Sequence, residues 1–455
     1  MNEFRVLSPT AILGYGFPVE SFKAGMKLKP HVIAVDAGST DPGPYYLGSG
    51  KSFTDRGAVK RDLEFMLEAA CANKIPVIVG SAGGSGAKSH LDWTVDIVQE
   101  ISREKKLSFK LAVIPAHIKK EIIHKKFDDG KLKTYFPAPA PTKEDIDESV
   151  NIVGQMGDEP IVKALNEGAE VIIAGRAYDP TVFAALGIIH GFNKGLALHM
   201  GKILECAAIA ATPGSGSDCM FGFLREDHFE LTVLNKIRTC TPTSIAAHTL
   251  YEKSNPTKLP GPGGILDLTE TTFEQGPGDS VIVRGSKFIP DEKYSVKLEA
   301  AKRVGYRTVS FAAVVDPIMI KKINDITRVV KERVKDNFSN LGEFFLDFKV
   351  YGQSGASLFK TESNEAALEI AIIIEAVADS PEKADTICSF ARSTLLHYGY
   401  EGRISTAGNL AFPFSPSDFR GGEVFEFSLY TLMEVDDPCE LFPITHYFCD
   451  MGELT

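Results

Sequence analysis

Short apolar runs alternate with longer amphipathic stretches through the first half of the chain. The runs Thr10–Leu13, His31–Ala37, Pro76–Gly80, Lys110–Pro115 and Val171–Ala174 are rich in Val, Ile and Ala and lack a clean polar alternation. That is the pattern of strands covered on both faces. Between and after them, Val59–Ala72, Leu91–Arg103, Glu144–Met156 and Ile161–Asn166 carry apolar residues at helical spacing. Repeated strand-plus-helix units predict a parallel α/β domain, an open sheet or a closed barrel, with its ligand beyond the carboxyl ends of the strands.

From about Lys194 the texture changes. A long, mostly apolar helix is expected over Lys194–Ala211, then alternating segments such as Phe229–Leu234 and Ser280–Arg284. Strand patterns at Thr308–Val315, Leu346–Tyr351 and Gly422–Leu432 mix with helical ones near Ile318–Asn337, Glu365–Ala378 and Glu382–His397. Such mixing predicts an α+β domain over 194–455, following a parallel β/α domain over 1–193. The acidic, Gly/Pro-bearing stretch Asp267–Asp279 lacks apolar period and reads as a linker or exposed excursion.

Chemistry collects where the expected strands end. Asp36 closes one, and the loop after it holds Ser39, Thr40, Asp41, Tyr45 and several glycines. Glycine allows positive φ and close approach of a ligand, although Asp36 and Asp41 would equally serve as acceptors for turn amides. The next strand runs into "GSAGGSG", where Ser81, Gly83, Gly84 and Ser85 resemble an anion cradle opening a helix. The competing use is a plain helix-entry turn capped by Ser89. It is neither a Walker loop nor a dinucleotide fingerprint. After the strand Val171–Ala174 comes Arg176, placed to fork onto a carboxylate or to lock Asp36 or Asp41 in an internal pair. Asp179, before Pro180, reads first as a helix cap.

His199, Lys202 and Glu205 recur in steps of three along the apolar helix. Burying them is costly unless they pair or work. A Lys202–Glu205 ion pair is the structural use; proton exchange is the catalytic one. Arg403, in a late loop with Asn409 and several prolines, is a second candidate for binding substrate. The histidines show no metal spacing, and Mg2+ on Asp36 and Asp41 is an open use of two carboxylates that alone specify little.

A net charge of −11 with no basic run argues against a nucleic-acid or anionic-membrane partner. The scattered cysteines, the lack of CxxC and the lack of a secretory signal lead us to expect a reduced, cytoplasmic protein.

The stretches "VIAVDAGSTDPGPYYLGSG", "VGSAGGSGAKSHLDW", "AGRAYDPTVFAALGIIHGFNKGLALHMGKILECAAIAATPGSGSDC" and "CTPTSIAAHTLYEKSNPTKLPGPGG" resemble the family of the acyclic terpene utilisation protein AtuA. The resemblance also takes in "SPTAILGYGFPVESFKAG" and runs over nearly the whole chain. It implies a catabolic setting, in a branch found beside small-carboxylate or acyl-CoA genes. It also implies a separate accessory subunit of about a hundred residues, the size of one small domain. It supplies no catalytic residues.

The residues lead us to expect a lyase, of the hydratase/dehydratase or ammonia-lyase kind, acting on a small anionic carboxylic acid or its acyl-CoA; an oligomer is expected from class habit alone. It would abstract a proton α to the carboxylate. Ser39, Thr40, Tyr45, Ser81, Gly83, Gly84, Ser85, Arg176 and Arg403 would clamp substrate, and His199, Lys202 or Glu205 would exchange protons. Asp36 and Asp41 would position the leaving group or a Mg2+. An isomerase uses the same parts, and a CoA- or nucleotide-binding subunit supporting a separate catalytic chain is the reading from another class.

Overall fold

The computed structural model describes every residue except 136, 252–254, 354 and 357–366. Contacts divide it into two compact units, Met1–Lys302 with Phe427–Thr455, and Arg303–Glu426. The expected boundary at 193/194 falls inside the first unit.

The first unit is built on a mixed sheet of eleven strands. Its centre is parallel: β1 (Phe4–Ser8), β2 (Val32–Asp36), β3 (Val77–Gly80), β4 (Ser108–Ile114) and, after two short strands β5 (Leu132–Thr134) and β6 (Ser149–Gly154), β7 (Val171–Ala174). The order is β1-β2-β3-β7-β4, all parallel. Beyond β1 lie antiparallel β8 (Met220–Leu224) and β9 (His228–Val233), then Ser280–Arg284 and the edge strand Thr272–Gln275. Beyond β4 lie Thr445–Asp450, antiparallel, and Glu453–Leu454. The sheet is therefore open, with two distinct ends.

Strand geometry sends successive side chains to opposite faces, and both faces here are apolar. Val32, Ala34, Ile78, Ile172 and Ala174 share one core with Ile161, Val182 and Phe183. Ile33, Val35, Val77, Val79, Val171 and Ile173 share the other with Val59, Leu63, Met66, Ile97 and Val98. Two-sided burial explains the unbroken Val/Ile runs, since a strand between two helical layers has no wet face for polar residues.

Several expectations need correction. The first strand is Phe4–Ser8 rather than Thr10–Leu13, which form a bend and the start of a turn after it. Glu144–Met156 divides into a short helix, Lys143–Glu148, and β6, which pairs with residues 298–302. The helix expected over Lys194–Ala211 ends at Leu204 and gives way to a 3-10 turn, Ala207–Ala210. The stretch Asp267–Asp279 carries the edge strand Thr272–Gln275.

In the second unit, the strand Ile370–Ala378 lies between Phe345–Tyr351 and residues 306–314, all antiparallel. Ile370, Ile372, Ile374 and Ala376 pack against Ile323, Val330 and Ile387 of the helices Pro317–Asn337 and Pro381–Leu396. A helix had been expected over Glu365–Ala378. Residues 365 and 366 lie outside the described part, and 370–378 is this strand: its "IAIII" run is β-branched, which favours extended backbone. Among the described residues no helix is long and apolar enough to cross a membrane.

Candidate functional site

Three loops leave the carboxyl ends of β2, β3 and β7 and pack backbone against backbone. A Cβ on Gly38, at φ 136°, would lie 2.9 Å from the Cα of Gly84. One on Gly86, at φ 67°, would overlap the backbone nitrogen of Arg176. These approaches bring together the loop after Asp36, the turn around Gly84 and the segment of Arg176. The glycines make room for neighbouring loops. Gly83 faces the Cβ of His90, and Gly84 faces Phe53. The helix that follows is capped at Ala87 rather than Ser89, whose hydroxyl donates to the Gly50 carbonyl at 3.1 Å.

At the centre sits Arg176, only 3% exposed. Its Nε donates to Glu299 Oε2 at 2.7 Å; its Nη1 donates to Asp179 Oδ1 at 2.9 Å, to Ser81 Oγ at 3.2 Å and to the Ala177 carbonyl at 3.0 Å. Burial opposes the guanidinium charge, but Glu299 and Asp179 outweigh it and hold its pKa well above the usual value. Arg176 forms an internal ion pair, but with Glu299 and Asp179 in place of the expected Asp36 or Asp41. Asp179 is a partner of Arg176, and the residue at the helix cap is Pro180.

Glu299, fully buried, joins three segments. Its Oε2 takes Arg176, while Oε1 takes Lys297 Nζ at 2.8 Å and the Thr40 hydroxyl at 3.1 Å. Burial would raise its pKa, yet Arg176 and Lys297 bring it down to about 2. Lys297 also donates to the Tyr430 hydroxyl at 3.1 Å. The sequence reading missed both Glu299 and Lys297. Their signal is faint: two charges at i and i+2 of the extended segment "KLEAA", where one face must hold both.

Asp36 is 6% exposed at the end of β2. Its Oδ2 accepts from the Gly38 amide at 3.2 Å, and its Oδ1 is buried with no hydrogen-bond partner among the described residues. Burial, then the charges of Asp179 and Glu205, push its pKa well above the ordinary aspartate value, with Arg176 partly opposing. Tyr178 stands in the same electrostatic neighbourhood: burial, then Glu205 and Asp179, raise its pKa. Its hydroxyl is likewise buried without a partner among the described residues. Its ring is held against the strand Lys258–Gly261, where a Cβ on Gly261 would come within 2.8 Å of it.

The helix Lys194–Leu204 brings Lys202 and, just past its end, Glu205, joined Nζ to Oε1 at 2.7 Å. Both are buried, and the ammonium lies 5.0 Å from the Tyr251 ring centre. Burial works against the Lys202 charge, but Glu205 wins and its pKa is raised. Cys206 adjoins them, its thiol pushed up to about 12 by burial. His199, on the same helix, is occupied elsewhere: Nδ1 meets Ser286 Oγ at 2.6 Å and Nε2 meets Thr249 Oγ1 at 3.1 Å. Burial lowers its pKa to about 3. It is a satisfied core histidine, packed edge-on against Phe229 and Phe273.

The remaining expected residues divide. Ser81 and Thr40 are buried in the network just described. Ser85 is buried, its hydroxyl without a partner among the described residues. Asp41 is exposed, and its amide donates to Ser39 Oγ at 3.1 Å. Tyr45 packs edge-on against Tyr46. Arg403 belongs to the second unit, where it donates to the carbonyls of His397, Tyr398 and Ser405 around the end of its neighbouring helix. Among the described residues no group of three or more His, Cys, Asp or Glu is arranged to hold a metal ion.

The family model described as "Acyclic terpene utilisation family protein AtuA" matches residues 54–219 and 234–410. The matched segments take in Ser81, Arg176, Lys202, Glu205 and Glu299, while Asp36 precedes them. The family is named for acyclic terpene utilisation, a catabolic role. No curated protein and no solved structure gave a significant match.

Proposed function

Since the chain belongs to the acyclic terpene utilisation family AtuA, we propose that it is a catabolic enzyme. Specifically, it is a lyase that removes a proton from the carbon next to an acyl group and expels a hydroxyl or amine from the following carbon. One observation carries this reading: a buried acid whose pKa is pushed up, Asp36, feels the charge of Glu205, which is held in a buried ion pair with Lys202. Titratable groups driven apart by their surroundings are what acid and base roles at one pH require.

Glu205 accepts the proton in this mechanism, because a carboxylate has an acceptor to offer and an ammonium has none. Lys202 orients that carboxylate at 2.7 Å and protonates the departing hydroxyl or amine. Asp36, in its neutral form, donates to the substrate. The C–H pair becomes the new C=C bond as the leaving group departs with its own bonding pair, so no oxidant is required. Arg176 acts indirectly, fixing the loops through Ser81, Asp179 and Glu299.

The test is to offer branched β-hydroxy and β-amino acids, free and as thioesters, and to follow the conjugated double bond by ultraviolet absorbance. Glu205→Gln and Lys202→Ala are each expected to lower turnover by about 10²–10⁴-fold, the usual scale for a lost general base or acid. Full turnover in both variants removes these roles. Proton exchange without elimination would reassign the enzyme as an isomerase.

A further inference from the structure

We infer that the hydroxyls of neutral Asp36 and Tyr178 form a donor pair for a carbonyl oxygen, so that the site takes an uncharged acyl group, such as a thioester, in place of a free carboxylate. This rests on the proton-abstraction reading above and names the substrate class for it.

The first support is the charge balance of the cluster. Its cations are Arg176, Lys202 and Lys297, and each already holds a carboxylate: Glu299 and Asp179, Glu205, and Glu299 again. No cation of this cluster is left over for a substrate carboxylate. A further anion entering it would be buried without a counter-charge, which is strongly unfavourable. Asp36 is the carboxyl group left without a cation in direct contact. It is the one expected to stay neutral.

The second support is a pair of unsatisfied oxygens. Asp36 Oδ1 and Tyr178 Oη are both buried with no partner among the described residues, in side chains 6% and 8% exposed. Buried polar atoms are rarely left so, and an exception calls for a ligand or water. The Asp36 oxygen that accepts from Gly38 is Oδ2, which leaves Oδ1 to bear the proton and donate. A phenol and a protonated carboxyl that share Glu205 and Asp179 as charged neighbours offer two donors to one acceptor. Such a pair favours the enolate, whose oxygen carries more charge than the ground-state carbonyl.

The step balances without a cofactor. Glu205 takes the α proton; the C–H pair forms a C=C bond to the acyl carbon, and the carbonyl π pair moves onto oxygen, where Asp36 and Tyr178 hold it. Reversal returns a proton, or a deuteron in heavy water.

The experiment therefore reads exchange. Short branched acyl groups are offered to the purified protein in D2O, each as the free carboxylate and as its N-acetylcysteamine thioester, and α-proton loss is followed by NMR. Exchange confined to the thioesters supports the inference. Exchange on carboxylates at an equal or higher rate overturns it while leaving the lyase reading intact; exchange on neither overturns both. Tyr178→Phe should slow thioester exchange by about 10²-fold, chiefly in kcat, with an unchanged melting temperature as the control for folding. Asp36→Asn, which keeps a donor, should lie within about tenfold of the parent, and Asp36→Ala about 10²–10³-fold below it. If Asn is as inactive as Ala, Asp36 acts as a base and the donor assignment fails.

Discussion

Asp36 holds its proton to a higher pH than an ordinary aspartate, and the first cause is burial. Its folded-state pKa exceeds its unfolded one, so the stability it contributes is complete below the unfolded pKa. That stability is lost as pH rises through the folded value. Asp36→Asn removes the penalty of ionising. The variant should gain in melting temperature relative to the parent at pH 8 and show little gain near pH 4; a gain that grows towards acid would contradict this. Glu299 has the opposite sign. Its pKa falls to about 2, so its contribution is present above the usual glutamate range and disappears as pH drops through 2. Glu299→Gln should destabilise by about 3–5 kcal/mol at pH 7, because Arg176 and Lys297 keep their buried charges without it. Urea unfolding at pH 7 and pH 3 should show the deficit narrowing with acid. Residues at this scale were unevenly legible. Asp36 and Arg176 stand at strand ends and advertise themselves, and Lys202 and Glu205 interrupt an apolar helix. Glu299 and Tyr178 do not, because the partners that make them matter lie far away in the chain.

Among the elements, the parallel strands were readable because two-sided burial leaves runs with no competing pattern. The errors fell where one pattern admits two periods. "SVNIVG" after Lys143–Glu148 and "IAIIIEAVA" are short, mainly apolar runs that periodicity alone cannot assign, and only their β-branched content favours strand. The loops were legible as glycine-rich, but their close packing on one another was not. Gly86 tests that packing. Gly86→Ala should destabilise by more than about 1 kcal/mol, because positive φ and the Arg176 backbone both exclude a Cβ. Gly43→Ala, which meets nothing within 4 Å, carries only the backbone cost. Thermal melts of the two variants compare the contributions directly. Equal losses would mean that loop docking adds nothing.

For the whole molecule, the strongest expectation concerns the division at 302/303. Residues 303–426 are continuous in sequence and enclose their own apolar core of Ile, Val and Met. Produced alone, this segment should melt cooperatively with mixed α/β circular dichroism, and the full chain should show two calorimetric transitions. A single transition for the chain together with an unfolded isolated segment would mean that the two units depend on each other. The division was not legible in the sequence, because the change of texture near Lys194 marks the end of parallel strands while the same sheet continues into β8 and β9.

The strand Thr445–Asp450 lies against β4, some three hundred residues earlier in the chain. A nascent polypeptide that has reached residue 440 therefore still presents one flank of β4 bare, however well the preceding helices have docked. Ribosomal synthesis must pass residue 450 before that flank is sealed. Until then the growing chain carries an adhesive border of the kind that invites chaperones or neighbouring copies.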